Sequence, residues 1–207
     1  MKGIFITFEG PEGSGKTSVI KAVEERLKQQ NKNVLMTREP GGIRIAELIR
    51  NIILDVNNVE MDLTTEALLF AASRRQHIVE KIWPALNEGK IVLCDRFVDS
   101  SLAYQGVGRE LGIDRVYAIN QYAIEGCLPD LTIFIDVPPS IGLKRVFSNG
   151  RKVDRLDLET IKFHEKVYLG YHELINKFPD RIKVVDGTQT IDKVVENSLE
   201  WIYKIIK

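Results

Sequence analysis

The sequence predicts an α/β fold, a three-layer sandwich in which a five-stranded, mostly parallel sheet carries helices on both faces. Short apolar runs alternate with longer segments of helical periodicity along the chain, an order typical of parallel strands joined by crossover helices. The short runs are apolar at nearly every position, as expected of strands covered on both faces. The length of 207 residues and the hydrophobic fraction of 44% fit a single domain over residues 1–207.

Five apolar runs are predicted to form the strands. They are Ile4 to Phe8, Val34 to Met36, Ile91 to Cys94, Leu131 to Val137 and Ile182 to Val185. Because parallel strands present their carboxyl ends at one edge of a sheet, we expect a ligand to bind beyond the residues that follow these runs.

The longer segments between the strands are predicted to be helices. Thr17 to Lys28 follows the first strand after a glycine-rich turn, and Thr64 to Leu86 is a long helix that Pro84 is expected to bend or end. The others are Asp114 to Glu125, Ser140 to Phe147, Leu158 to Lys177 and a C-terminal helix with an apolar face of Ile191, Val194, Val195, Leu199, Ile202, Ile205 and Ile206.

The composition argues against several classes of protein. The 29 basic and 29 acidic residues give a formal net charge of zero, so neither nucleic acid nor a membrane is expected as a partner. Cys94 and Cys127 lack C-x-x-C spacing and are expected to be structural thiols in a reducing compartment. No apolar stretch approaches the length of a membrane span, and Met1 precedes the first strand too closely for a signal peptide. We therefore expect a cytoplasmic protein.

The segment from Gly10 to Thr17 reads Gly-Pro-Glu-Gly-Ser-Gly-Lys-Thr and matches G-x-x-x-x-G-K-[ST] between a strand and a helix. The glycines let backbone N–H groups approach an anion, and the helix N-terminus directs further N–H groups at it. Lys16 adds a cation for the outer phosphates of a nucleoside triphosphate, and the Thr17 hydroxyl can ligate the accompanying Mg²⁺. The expected triphosphate-binding residues are Gly10, Pro11, Glu12, Gly13, Ser14, Gly15, Lys16, Thr17 and Ser18.

A second part of the site is expected at Asp95 and Arg96, directly after the strand Ile91 to Cys94. A carboxylate at this place can hold Mg²⁺, directly or through water, and the adjacent arginine can bind a phosphate. A salt bridge at the end of a strand explains the pair equally well. The run from Phe97 to Gly106 favours a binding site, because its hydroxyl, amide and aromatic groups suit a nucleobase and a sugar.

Three further segments carry candidate substrate ligands. Phe70 and Arg74 lie four residues apart on one helix face, where they could stack on a base and donate to its carbonyl edge. A core phenylalanine and a solvated arginine are the alternative. Arg38 follows a strand and precedes a Pro-Gly-Gly turn, so it could meet a phosphate. Asn149 to Arg155 is either a solvated loop or part of a basic lid at about 148–157 that closes on transferring phosphates.

These motifs occur together in one order along nearly the whole chain. The segments are Phe8 to Thr17, Thr37 to Gly42, Glu66 to Arg74, Asp95 to Gly106 and Pro129 to Thr132, followed by the basic segment. In this combination the sequence resembles the thymidylate kinase family, in its bacterial form, among the P-loop nucleoside monophosphate kinases. The Asp-Arg-aromatic run with Ser-Ser-x-Ala-Tyr-Gln is highly specific, whereas the phosphate loop occurs in many kinases.

The resemblance implies phosphoryl transfer from ATP with Mg²⁺ to dTMP, giving dTDP and ADP in dTTP biosynthesis, without a covalent intermediate. The implied catalytic residues are Lys16, Arg96, Asp95, Arg38 and a lid arginine, Arg151 or Arg155, with Arg145 and Lys152 as competing cations. The implied metal ligands are Thr17 and Asp95, the latter directly or through water. A homodimer that associates through helix faces is implied as well.

The resemblance also implies which residues bind dTMP. Glu12 would meet the sugar near its 3′-hydroxyl, and Tyr104 would crowd a 2′-hydroxyl and so favour deoxyribose. The phosphate would be bound by Arg38, Arg96 and Arg50. Thymine would be bound by Phe70, which stacks on it, by Arg74 at its carbonyl edge, and by Ser101 and Gln105.

Two other functions remain open at this point. One is a nucleoside monophosphate kinase acting on UMP, dCMP or a broader set, since the shape of the pocket decides the base. The other is a nucleotide-operated switch, which needs Asn-Lys-x-Asp and Asp-x-x-Gly. The segment Asn31-Lys32-Asn33-Val34 departs from the first motif, and the second does not occur in the sequence.

Overall fold

The computed structural model describes residues 3–148 and 154–206 and contains a parallel five-stranded sheet in the order β2-β3-β1-β4-β5. The strands are β1 Ile4–Glu9, β2 Val34–Arg38, β3 Ile91–Asp95, β4 Leu131–Asp136 and β5 Ile182–Asp186. In the register, Asp95 of β3 lies opposite both Phe8 and Arg38. The residues that follow β1, β2 and β3 therefore meet at one edge of the sheet, as the sequence predicted.

The helices lie between the strands in the predicted order. Their bounds are α1 Lys16–Gln29, α2 Arg44–Leu54, α3 Leu63–His77, α4 Trp83–Asn87, α5 Val98–Ser101, α6 Ile113–Ile124, α7 Pro139–Ser148, α8 Ile161–Lys177 and α9 Ile191–Ile205. Two π-helical segments, Ile78–Ile82 and Leu102–Gly108, continue α3 into α4 and extend α5. Pro84 does not end the long helix, which continues to Asn87; it lies directly after the π-helical segment, where the backbone already departs from the regular hydrogen-bond pattern that a proline interrupts. Helix α2 is not among the helices predicted from the sequence.

Side chains alternate across the sheet and build one apolar core on each face. Ile6 and Phe8 point to the side covered by α1 and α9, whereas Phe5 points to the side covered by α3, α6 and α8. The predicted three-layer arrangement with helices on both faces is confirmed. Within the described residues, none of the helices is both long and apolar enough to cross a membrane.

Candidate active site

A cavity of about 480 Å³ opens at the carboxyl edge of the sheet, a size suited to a nucleotide. Its walls come from the phosphate loop, the ends of β2 and β3, and α2, α3, α7 and the π-helical segment after α5. Most predicted site residues line it. These are Glu12, Gly13, Ser14, Gly15, Lys16, Thr17, Ser18, Arg38, Arg50, Phe70, Asp95, Arg96, Ser101, Tyr104, Gln105 and Arg145. Gly10, Pro11, Arg74 and Arg155 are not part of the lining, and Arg151 lies outside the described residues.

The phosphate loop is held open by its glycines. Gly13 and Gly15 adopt positive φ angles of 68° and 88°, which side chains rarely permit. A Cβ atom at Gly13 would overlap the backbone carbonyl of Gly142 in α7, and one at Gly142 would overlap the carbonyl of Glu12. The loop therefore packs backbone to backbone against α7, while the N-terminus of α1 faces the cavity.

Lys16 is folded back onto the loop. Its Nζ donates to the carbonyl oxygens of Gly10 and Pro11, each at 2.9 Å, and to Ser14 Oγ at 3.2 Å. Burial and the charge of Arg96 lower the pKa of Lys16 to about 8, against the opposing effect of nearby carboxylates. A bound polyphosphate would favour the charged ammonium, so this residue is poised to respond to an anion.

Thr17 and Asp95 bring two hard oxygen atoms together beside the loop. Thr17 Oγ1 donates to Asp95 Oδ2 at 2.7 Å. A hydroxyl and a carboxylate of this kind fit Mg²⁺, which prefers oxygen ligands and usually keeps phosphate oxygens and waters as the others. In residues 3–148 and 154–206, no cluster of three or more His, Cys, Asp or Glu side chains could hold a metal ion.

Arg96 lines the cavity and has a left-handed backbone conformation, with φ of 68°. Its backbone N–H donates to Phe8 O, which fixes the turn after β3 against β1. Its guanidinium donates to Glu12 Oε1 at 2.7 Å, Tyr104 Oη at 3.0 Å and Gly10 O at 3.1 Å. Burial opposes its charge, but Glu12, Tyr104, Tyr171 and Glu9 raise the pKa of Arg96, so it stays protonated.

A buried carboxylate, Glu9, is linked to Arg96 through two shared hydroxyl groups. Its Oε1 accepts from Phe97 N, and its Oε2 accepts from Ser100 Oγ at 2.6 Å and Tyr171 Oη at 2.9 Å. Both hydroxyl oxygens in turn lie 3.1 Å from Arg96 Nη1. Burial and the charge of Asp99 raise the pKa of Glu9 to about 7, although Arg96 and the hydrogen bonds lower it.

Arg38 and Arg50 form a further pair of cations in the cavity lining. The Nη1 atoms of both donate to Pro40 O at 2.9 Å. Arg38 Nη2 also pairs with Glu47 Oε1 at 2.7 Å, and that carboxylate accepts from Gly42 N as well. Burial and the charge of Arg38 lower the pKa of Arg50. Two arginines so close together, with one shared carboxylate neighbour, create a field that favours an anion in the cavity.

Arg74, predicted to read a base, lies behind the cavity lining, where it contacts the lining residue Ser101. It is 2% exposed, and its Nε pairs with Glu39 Oε2 at 2.8 Å. The rest of its guanidinium donates to Ser101 Oγ, Asn120 Oδ1 and Phe97 O. His77 Nδ1 lies 2.9 Å from the other oxygen of Glu39. Direct contact of Arg74 with a base therefore requires one of these bonds to be exchanged.

The comparisons with known proteins agree with this arrangement. The family model described as Thymidylate kinase matches residues 8–198. The chain is 57% identical to the thymidylate kinase of Anoxybacillus flavithermus over 208 residues, covering both chains completely, and 57% identical to that of Clostridium novyi, covering 94% and 96%. A crystal structure of thymidylate kinase from Ehrlichia chaffeensis superposes with a TM-score of 0.78 at 33% identity, covering 98% of this chain and 99% of that one.

The chain belongs to the thymidylate kinase family. The predicted family is thereby confirmed, and with it a nucleotide-binding transferase of the dTMP kinase type on a P-loop α/β fold. The switch function is excluded by this membership.

The cations that compete for the role of lid arginine occupy different places. Arg145 lines the cavity, and its Nη1 lies 3.4 Å from Gly13 O of the phosphate loop. Arg155 lies elsewhere, because its Nε donates to Ile53 O and its Nη2 pairs with Glu66. The structure does not bring Arg155 to the phosphate loop. Arg151 and Lys152 lie outside the described residues.

Sequence reasoning missed several residues that shape this thymidylate kinase site. Glu9 is the last residue of β1, at the carboxyl edge of the sheet, and the rule that led to Asp95 at the end of β3 could have found it. Tyr171 carries no such signal, since it reaches Glu9 from a helix 162 residues away. Glu39 and Glu66 were noted as parts of motifs, but a motif does not indicate which distant side chains a carboxylate holds.

Proposed function

We propose that this member of the thymidylate kinase family transfers the γ-phosphoryl group of ATP to the phosphate of dTMP in the single cavity described above. One observation carries the proposal. The phosphate loop with Lys16 and Thr17 shares a cavity with the arginines Arg38 and Arg96 and the aromatic ring of Phe70. Phosphoryl transfer between two nucleotides requires a binding site for the donor phosphates that faces cationic and aromatic residues able to bind the acceptor nucleotide.

On the donor side, the loop N–H groups and Lys16 hold the ATP phosphates. Thr17 and Asp95 hold the Mg²⁺ that accompanies ATP, with Asp95 acting directly or through water. This ion neutralises charge on the phosphate oxygens. The bond between Thr17 Oγ1 and Asp95 Oδ2 supports this assignment, because it keeps both oxygens at the loop.

On the acceptor side, Arg38, Arg50 and Arg96 bind the dTMP phosphate, and Glu12 meets the sugar near its 3′-hydroxyl. The dTMP phosphate is already nucleophilic at neutral pH, so no general base and no covalent intermediate are needed. Catalysis consists of in-line alignment and charge neutralisation. The hydrogen bonds that hold Arg96 to Glu12 and Gly10 support a pre-set position next to the loop.

The base and sugar occupy the remaining wall. Phe70 stacks on thymine, Ser101 and Gln105 contact its polar edge, and Tyr104 lies against the sugar where a 2′-hydroxyl would clash. These four residues line one cavity. Arg74 binds the thymine carbonyl edge by exchanging one of its present bonds, the nearest candidate being the 3.1 Å bond to Ser101 Oγ.

A lid arginine offsets charge on the transferring group. Arg151 keeps this role as a prediction, and Arg145 is the described cation best placed to share it, because it already lies next to Gly13 in the cavity. Arg155 has the weakest support, since Glu66 and Ile53 hold its guanidinium.

We further propose a cytoplasmic homodimer. Apolar side chains on three helices that pack side by side are unusually exposed, namely Leu48 and Ile52 on α2, Leu68 on α3 and Tyr122 on α6. A second copy that covers this face would bury them. Sedimentation of wild type and Leu68→Glu tests this, since the variant should be monomeric. Cys94 and Cys127 are both buried and are not joined in a disulfide bond, which suits a reducing cytoplasm.

A coupled ADP-release assay with ATP and Mg²⁺ tests the reaction, with dTMP, dUMP, UMP, dCMP, thymidine and no acceptor compared side by side. Strong preference for dTMP is the expected result. Turnover of UMP or dCMP in its place would retain a kinase and contradict the base assignments. If ATP were hydrolysed without any dependence on an acceptor, only the assignment of the phosphate loop to ATP binding would remain supported.

A further inference from the structure

The amide of Gln105 must present one of its two ends to whatever base occupies the cavity. The residue lines the cavity and is 1% exposed. Its Nε2 donates to Glu66 Oε1 at 2.9 Å, and across the described ranges 3–148 and 154–206 this is the one hydrogen bond found for the amide. An amide end that donates and one that accepts select opposite partners, so the orientation decides what Gln105 can read.

The carboxylate of Glu66 determines the orientation of the Gln105 amide. It is fully buried, and besides Gln105 it accepts from Arg109 Nε and Nη2, each at 3.2 Å, and from Arg155 Nη2. Burial opposes ionisation, but the bonds from Arg109, Gln105 and Arg155 together hold the pKa of Glu66 below its ordinary value. An ionised carboxylate only accepts hydrogen bonds, so Gln105 must turn its NH₂ group toward Glu66.

The other end of the amide is then free for substrate. Because Gln105 lines the cavity and its Nε2 is engaged by Glu66, Oε1 is the end of the amide that we expect to face a bound base. We propose that Glu66 is a positioning residue that fixes the amide of Gln105 with its carbonyl oxygen toward the base, and that this orientation selects a pyrimidine carrying N–H at ring position 3. The inference rests on the proposed function, in which Gln105 contacts thymine.

The chemistry of the two common pyrimidines gives the selectivity its direction. Thymine has N–H at position 3 and donates to a carbonyl oxygen. Cytosine has a lone pair there, which would face the oxygen of Gln105 and leave both acceptors unpaired. A site built around a buried hydrogen bond rejects the mismatched analogue far more strongly than an apolar pocket rejects a change in size.

The test compares dTMP with 5-methyl-dCMP, which keeps the methyl group, sugar and phosphate but reverses the polarity at position 3. We expect the ratio of kcat/KM values, dTMP over 5-methyl-dCMP, to be at least about 10³ in the wild type. In Glu66→Gln the neighbour can donate as well as accept, so Gln105 can turn over. The ratio should then fall at least about tenfold, while the KM for ATP stays within about twofold.

Arg109→Met is the matched control. It removes two of the hydrogen bonds to Glu66 but leaves the carboxylate and its bond to Gln105 in place. The base ratio should be unchanged. Thermal melting checks that each variant is folded, and Glu66→Asp, which keeps the charge but draws the oxygens back from Gln105, replaces Glu66→Gln if that variant is unfolded at the assay temperature.

The outcomes separate this inference from the proposed function. A wild-type chain that does not phosphorylate dTMP contradicts the proposed function. A wild type that phosphorylates dTMP but accepts 5-methyl-dCMP equally well overturns the role of Glu66. So does a folded Glu66 variant with an unchanged ratio, or an equal fall in Arg109→Met, since packing and not amide orientation would then set the ratio.

Discussion

Replacing Glu9 with glutamine should change the way in which the stability of the folded chain depends on pH. The carboxyl group is 1% exposed, and its pKa is raised from 4.5 to about 7, chiefly by burial and by Asp99. The folded chain therefore binds this proton more tightly than the unfolded chain does. The stabilisation from Glu9 is fully present below pH 4.5 and is lost as the pH rises through about 7.

The size of the change in unfolding free energy follows from the pKa shift of Glu9. A difference between 4.5 and about 7, at 1.36 kcal/mol for each pH unit, amounts to about 3 kcal/mol of unfolding free energy. Glutamine does not titrate and can still accept from Phe97 N, which Glu9 Oε1 holds at 2.7 Å. The variant should therefore keep the turn at Arg96 while losing this part of the pH dependence.

Urea unfolding from about pH 4.5 to 8 measures the difference directly. Glu9 also contributes to the pKa of Lys16, which is about 8, so the gap between the two stability curves is read below about pH 7, where Lys16 keeps its proton. We expect the wild type to lose about 3 kcal/mol relative to Glu9→Gln over this range. Glu60→Gln, at an exposed carboxylate, serves as control and should run parallel to wild type. If the stability curve of Glu9→Gln ran parallel to that of the wild type, Glu9 would not have the raised pKa on which this prediction rests.

Three further outcomes are expected from the site. Lys16→Ala should lower kcat by about a hundredfold or more, and turnover near the wild-type value would remove Lys16 from the mechanism. The KM for ATP should rise as the pH passes through about 8, where the free protein loses the Lys16 proton, and should stay flat in Lys16→Arg; a rise in both would contradict this cause. Arg74→Ala should raise the KM for dTMP far more than that for ATP, with a loss of about 3 kcal/mol of stability because buried Glu39 loses its arginine partner and keeps only His77. Equal changes in both KM values would contradict base reading by Arg74.

The strands could be predicted from sequence because each is a short apolar run covered on both faces. Helix α2 was missed although its apolar residues Ile45, Leu48, Ile49, Ile52 and Ile53 recur at helical spacing. This stripe is only partly buried, since Ile53 is buried but Leu48 and Ile52 are about half exposed. The π-helical segments insert an extra residue per turn, and that irregularity depends on packing and not on a local pattern.

The candidate site could be predicted where a local motif or a strand end determines position. Thr17 ends the phosphate loop after β1, and Asp95 is the last residue of β3. Both therefore lie at the same edge of the sheet, where Thr17 Oγ1 donates to Asp95 Oδ2. The direction of a long side chain is different, since it depends on partners that fold from distant parts of the chain. Arg74 turns to Glu39 and Asn120, which are 35 and 46 residues away, and Arg155 turns to Glu66 at a separation of 89.

The backbone contact between Gly13 and Gly142 restricts how this enzyme can be altered. Each position lacks room for even a methyl group, because the added Cβ would overlap the other segment's backbone or the carbonyl beside it. A saturation library at these two glycines should yield almost no active clones. Changes of acceptor specificity therefore have to be sought at the opposite wall, around Phe70 and Gln105, where side chains and not backbone line the space.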